Sequence, residues 1–180
     1  MTEPHPLDPP SPFIQQWIIR LAQTSRPGRA LDVAMGRGRH AAVLAENGWA
    51  TYGVDVKLDV VRSAHDLLAR RGLTLRAWCA DLTMPALPAA CFDLVVVARY
   101  LQRDLFPSLV GALRPSGIIL YETFTEDQRA HGRGPTSADH LLMPGELARA
   151  FDGMERLFYE EVIEPEALAR LAARKRPRSS

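Results

Sequence analysis

Residues 31–40 read LDVAMGRGRH. An apolar run carrying a single acid, Asp32, breaks at Gly36 and Gly38 and passes at once into a helix-like segment. A strand that ends in a glycine turn and opens a helix is the first unit of an α/β fold, in which ligands gather beyond the carboxyl ends of the strands. The two glycines tolerate positive φ and carry no Cβ, so a ligand can lie directly against the main chain. Residues 36–41 spell G-x-G-x-x-A, which also satisfies the dinucleotide fingerprint. The turn alone therefore leaves open a ligand cradle of either kind, or simply tight strand-to-helix packing.

Outward from that turn, strand and helix alternate. On the N-terminal side, Phe13, Trp17 and Leu21 fall at i, i+4 and i+8, an amphipathic helix, and SRPG breaks it before a strand over 30–34. On the C-terminal side, 39–47 reads as helix stopped by Gly48, 50–56 as strand and 58–71 as helix stopped by Gly72. An alternating strand follows over 73–80. FDLVVVARY, residues 92–100, is the most strand-like run in the chain. Helix over 105–113, the turn RPSG and the strand IILYETF at 118–124 come next. The stretch 125–144 is polar and rich in Gly, Pro and His, long for a plain connection. A short helix over 145–151 and a strand within MERLFYEEVIE precede the last segment. There EALARLAARKRP has helical composition but an alternation that also permits a strand. Helices must then cover both faces of a mostly parallel, doubly wound sheet.

Acids stand at matching places on the first three strands: Asp32 inside the first, Asp55 at the end of the second, Asp81 at the end of the third. Asp55 follows Gly38 by seventeen residues, a spacing at which a carboxylate can accept both hydroxyls of a ribose. A single strand-end Asp is ordinarily a turn former or cap; three in register point to a ligand.

The totals set bounds. The 180 residues suit one domain, with a lead-in over 1–12 and the domain over 13–177. A net charge of +1 gives no reason to expect nucleic acid as the main partner. Cys79 and Cys91 have no metal-ligand spacing and read as reduced, buried thiols, and no metal site is expected. No segment approaches the roughly 20 apolar residues of a membrane span. The proline-rich start lacks the features of a signal peptide, so a cytoplasmic location is expected. The basic end, RKRPRSS, reads as a solvated terminus. Nothing in the sequence speaks to oligomeric state.

The runs LDVAMGRGRHAAVLAENGWATYGVD, ADL at 80–82 and FDLVVVARYL resemble the class I S-adenosylmethionine-dependent methyltransferases. The resemblance is strongest to a bacterial branch related to the tellurite-resistance methyltransferases, and LYETFT with PGEL is similar to a signature of small members of that branch. It covers about Pro12 to Pro177. It implies a Rossmann-like sheet of seven strands whose last strand is antiparallel, which inclines the ambiguous 167–175 to strand. It also implies S-adenosyl-L-methionine as cofactor. Asp32 and the turn Ala34, Met35, Gly36 and Gly38 would hold the methionine part, Asp32 acting on its ammonium directly or through water. Asp55, with Val56 beside it, would bind the ribose. Asp81 and Leu82 would meet the adenine, and Ala98 and Arg99 would line the methyl-donor side. Met35, Arg99 and His140 depart from residues common in relatives at those places.

On this reading the function is methyl transfer to a small-molecule acceptor by in-line displacement. Holding the acceptor in line and excluding water would be the protein's main tasks. Arg99, Tyr100, Glu122 and His140 are the catalytic candidates, with Thr123, His131 and Arg133 nearby in sequence; Glu122 could equally pair with an arginine. Arg37 or Arg39 could meet a cofactor carboxylate, and 125–144 could close as a lid. Two rivals remain: an NAD(P)-dependent oxidoreductase, disfavoured because an acid as deep as Asp32 would repel a pyrophosphate, and a non-catalytic module that binds S-adenosylmethionine without turning it over.

Overall fold

A computed structural model describes residues 9–84 and 87–177. Helix α1 (Pro12–Thr24) starts with Pro12 in its first turn and Ser11 as N-cap, the Ser11 hydroxyl accepting the Ile14 N–H. Of the expected lead-in, residues 1–8 lie outside the described residues, while Ser11 is buried against the domain.

The chain then runs β1 (Arg29–Val33), α2 (Arg39–Glu46), β2 (Ala50–Asp55), α3 (Leu58–Arg70), β3 (Arg76–Cys79), β4 (Phe92–Ala98), α4 (Phe106–Ala112), β5 (Leu113–Phe124), α5 (Glu146–Ala150), β6 (Glu155–Val162) and β7 (Leu168–Arg174). These strands form one sheet in the order β3-β2-β1-β4-β5-β7-β6. Strands β1 to β5 pair in parallel, and β7 runs antiparallel between β5 and β6. The Rossmann-like, seven-stranded, doubly wound α/β architecture expected from the sequence is the one observed.

Two apolar layers sandwich the sheet. Phe13, Ile14 and Ile18 of α1, with Val43 and Leu44 of α2, pack on Leu94, Val96 and Leu120. On the same face Ala41 and Ala42 of α2 meet Val61, Ala64 and Leu68 of α3. The other face carries α4 and α5, whose Leu109 and Leu147, with Phe151 just after α5, join Val95, Ile119, Tyr121 and Leu171. The central strands β1 and β4 are buried on both sides, as their continuous apolar runs demand.

The segment 168–174 is a strand despite its alanines. Lying between β5 and β6, it satisfies its backbone on both edges, and its small residues are buried on both faces: Ala169 and Ala173 on one, Ala172 on the other. Tertiary pairing overrides a per-residue helix preference of at most about 0.7 kcal/mol. Arg170 faces Glu122 on β5 and Glu160 on β6 in the register, an opposite-charge ladder that fixes it.

Several expectations change. Strand β3 is shorter than 73–80 because it is the sheet edge, supported from one side only. For the same reason Cys79 at its end is exposed rather than buried, its thiol donating to Val56 O, and Cys91 is half-buried. Leu113 begins β5 instead of ending α4, and a single 3-10 turn at Arg103–Leu105 leads into that helix. Lys175 is no solvated tail residue: its ammonium caps α4 by donating to Val110 O and Leu113 O at 2.8 and 2.7 Å.

Candidate functional site

The glycine turn crosses from β1 to α2 with Ala34, Gly36 and Gly38 at φ 52°, 54° and 81°. Glycine is required at 38 twice over, since a Cβ there would come within 3.1 Å of Ala64 Cβ on α3. At Gly36 a Cβ would meet no atom within 4 Å, so this bend presents bare main chain to open space. Carboxylates tie down the turn's amides. Asp55 Oδ2 accepts the Gly36 N–H at 2.9 Å, and Asp32 Oδ2 accepts the Ala41 N–H at 2.9 Å. Gly38 N–H donates to Met35 O, closing the turn on itself.

Beside this turn, beyond the carboxyl ends of β1 to β4, lies a hollow of about 420 Å³. Ala34, Asp55 and Val56 form one side of it, and Asp81, Leu82 and Thr83 the floor beyond β3. Arg99 and Tyr100 close it beyond β4. Asp81 Oδ1 accepts both the Thr83 N–H and hydroxyl at 2.9 and 2.8 Å, which hold its carboxyl below the usual range and keep it charged. Tyr100 is shifted upward, by burial first and then by the charges of Asp81 and Asp55, so it remains a phenol able to donate. Arg99 has left-handed backbone, φ 54°, uncommon for a side chain of its size. Its guanidinium pairs with Glu166 at 2.5 Å and lies 5.4 Å over the Phe124 ring.

Ala34, Asp55, Val56, Asp81, Leu82, Arg99 and Tyr100 thus come together as the sequence suggested. Thr83 was missed, although D-x-T after a strand is a recognisable side-chain-to-backbone turn. Other candidates lie elsewhere. Asp32 is 1 % exposed and outside the residues lining the hollow, and its hydrogen bond is to the Ala41 N–H at the start of α2. Met35 is buried with its sulfur filling the space over Gly53, and Ala98 packs against the α1 layer.

Glu122 is corrected outright. It is 2 % exposed and accepts from Arg170 Nε at 2.8 Å, while Arg170 Nη1 reaches Glu160 at 2.8 Å, so it is a strut across three strands. His140 is exposed on a 3-10 turn and is not among the residues that line the hollow. Nor is 125–144 built as a free lid. Gln128, fully buried, accepts the Ala167 N–H at 2.8 Å and donates to Arg133 O. Arg103 holds the far end through Leu141 O and Glu146. Arg39 reaches Pro9 O at 3.3 Å, and Arg37 is exposed.

Two buried titratable groups flank the turn. Burial, opposed by the Ala41 N–H and the Arg39 charge, pushes Asp32 up to about 8. Burial, aided by the Arg39 and Arg99 charges, pushes His40 down to about 3; its Nε2 accepts the Ser11 N–H at 3.0 Å. The raised Asp32 makes the folded state hold a proton that the unfolded chain loses near 3.8, so its contribution to stability falls as pH rises toward 8. The depressed His40 does the reverse, costing stability as pH falls from 6.5 toward 3. Between 6.5 and about 7.5 the unfolded His40 still partly offsets Asp32, and above that Asp32 dominates. Stability is expected to drop between pH 6.5 and 8 at up to about 1 kcal/mol per pH unit, and Asp32→Asn to remove that drop. Urea unfolding at both pH values checks this; parallel losses in wild type and variant would count against it.

Residues 30–117 match the family described as "Methyltransferase domain". The chain is 38 % identical over 104 residues to the ribosomal RNA small subunit methyltransferase C of Alcanivorax borkumensis, covering 52 % of this chain and 31 % of that protein. It is 31 % identical over 121 residues to the protein-L-isoaspartate O-methyltransferase of Gloeobacter violaceus, covering 66 % and 58 %. The chain spans between 31 % and 58 % of the lengths of these and the other curated relatives compared. In structure it is similar to TehB from Haemophilus influenzae, with TM-score 0.72 at 18 % identity, covering 89 % of this chain and 62 % of that one. At that identity the likeness concerns the fold.

Proposed function

From a chain that carries the class I S-adenosylmethionine-dependent methyltransferase domain, we propose that the hollow beyond β1 to β4 binds S-adenosylmethionine. Its methyl group passes to a small-molecule acceptor entering over β4. The observation that carries this reading is the state of the glycine turn. A pyrophosphate needs the turn's amides free to receive an anion. Here the Gly36 and Ala41 amides already donate to the protein's own carboxyl groups, the Asp55 carboxylate and the buried Asp32. What is left for a ligand is bare backbone at Gly36, two acids and an apolar wall, which suits a nucleoside with hydroxyls and amines and no phosphate.

The residues present fit that group. Asp55 spends one lone pair of each oxygen on the Gly36 and Lys57 amides and keeps the others for ribose hydroxyls. Asp81, kept ionised by Thr83, accepts from an exocyclic amine, and Leu82 and Val56 flank a flat base. When bound, S-adenosylmethionine supplies an electrophilic methyl on a sulfonium, itself a good leaving group. Tyr100, protonated and half-buried, and Arg99, fixed by Glu166, orient the acceptor. Among the described residues lining the hollow there is no histidine, and Tyr100 is shifted away from acting as a base. Alignment and exclusion of water carry the rate.

Calorimetry of the full chain with adenosylhomocysteine and with NADH tests the cofactor. Binding of the first and not the second is expected, and the reverse would overturn the assignment. Turnover of S-adenosylmethionine across panels of small-molecule, RNA and protein acceptors tests the rest. Methylated product from the small molecules is expected. Tight binding without product from any panel would make the chain a cofactor-binding module.

A further inference from the structure

Strands β2 and β3 are parallel, yet among the described residues no helix lies over one of their faces. α2 and α3 cover one side. On the other, α4 and α5 pack over β4, β5 and β7, and the β3–β4 connection, residues 80–91, contains no helix among its described residues. Parallel sheets are almost always covered on both faces, by helices in the crossovers. The uncovered stretch is a hollow of about 630 Å³ near the amino ends of the strands, at the opposite end from the glycine turn. That size is typical of small-molecule sites.

Its lining is aromatic and cationic. Tyr52, Trp78, Leu87 and Phe92 form the walls, and Arg29 and Arg76 stand at the rim. Tyr52 and Phe92 meet edge to face with ring centroids 5.5 Å apart, and the Arg76 guanidinium lies 5.7 Å from the Tyr52 ring centroid. Neither guanidinium has an acid partner among the described residues. The nearby carboxylate, Asp93, is occupied by Arg114 at 3.2 Å and by the Arg29 backbone N–H at 2.8 Å. The Tyr52 hydroxyl and the Trp78 indole N–H likewise lack hydrogen-bond partners among the described residues. Two exposed guanidiniums without an acid partner among the described residues, beside a half-buried aromatic wall, offer charge and hydrogen-bond donors that match a flat anion.

We propose that this hollow is a second ligand site, separate from the methyl-transfer site, for a small aromatic carboxylate. The ring would lie against Tyr52 and Trp78, with the carboxylate between Arg29 and Arg76. The proposal does not depend on the cofactor assignment, because the two hollows lie at opposite ends of the same strands.

The probe is 2-naphthoate, titrated into the full chain while the indole N–H resonances of Trp17, Trp49 and Trp78 are followed by NMR. A saturable shift confined to Trp78 is expected. Affinity should fall at least tenfold for the neutral 2-naphthalenemethanol and at least tenfold in Arg29→Gln/Arg76→Gln. Adenosylhomocysteine binding should stay as in wild type. Both arginines are exposed, and either single variant gives the same reading if the double variant is unstable. The proposal is overturned by no saturable shift, by equal binding of the neutral alcohol, or by arginine variants that bind 2-naphthoate as wild type does.

Discussion

Asp55→Ala is expected to weaken adenosylhomocysteine binding by roughly a hundredfold, about 2.7 kcal/mol. Two losses combine. The carboxylate is the group on the ribose side of the hollow, and hydrogen bonds to a charged acceptor contribute roughly 1.5–3 kcal/mol. It also fixes the bend, since Oδ2 holds the Gly36 N–H and Oδ1 the Lys57 N–H at 3.1 Å; without it the bare backbone at Gly36 is no longer held in one position. Asp55→Asn keeps one acceptor oxygen and should lose only about tenfold. Calorimetry on both variants, with thermal unfolding as a control, decides the matter. If Asp55→Ala binds as tightly as wild type while remaining folded, the ribose contact is wrong.

The second large effect falls on stability. Glu122→Ala should destabilise the fold by about 3 kcal/mol, because removing one member of a buried ion pair leaves its partner's charge uncompensated. Arg170 still has Glu160, which keeps the cost below the upper end for such pairs. Glu122→Gln, with an acceptor retained for Arg170 Nε, should cost about 1 kcal/mol. Cofactor binding should be unchanged in both. Urea unfolding and calorimetry together separate this strut from a catalytic role. An Ala variant as stable as wild type but unable to turn over would return Glu122 to the active site.

The contrast between Asp55 and Glu122 shows what could be read in advance. Both are acids at the carboxyl end of a strand, and in sequence they look alike. Asp55 lies beside the glycine turn, where its spacing put it, because that distance is a local quantity carried by one β–α–β unit. Glu122 stood open between a catalytic role and an arginine partner, because that partner, Arg170, sits 48 residues further on and only the antiparallel register of β7 puts them opposite each other. Asp32 is an intermediate case. That an acid belongs just before the glycines was legible; that its bond goes to Ala41 required α2 to turn back over β1. The same reason explains His140 and the segment 125–144, where polar composition suggested mobility and Gln128 and Arg103 instead fasten the backbone.

The sequence by itself determined the alternation of strand and helix, the Cβ-free turn at Gly36 and Gly38, and the row of acids at the ends of β2 and β3. Each of these rests on periodicity, glycine conformation or spacing within a few tens of residues. Tertiary structure alone decided that 168–174 is a strand and that Glu122 braces the sheet. It also decided that, among the described residues, the β3–β4 connection places no helix over Tyr52 and Trp78. Those outcomes depend on which distant segments lie side by side, and a backbone amide or buried charge takes its partner from whatever the packed sheet brings within about 3 Å.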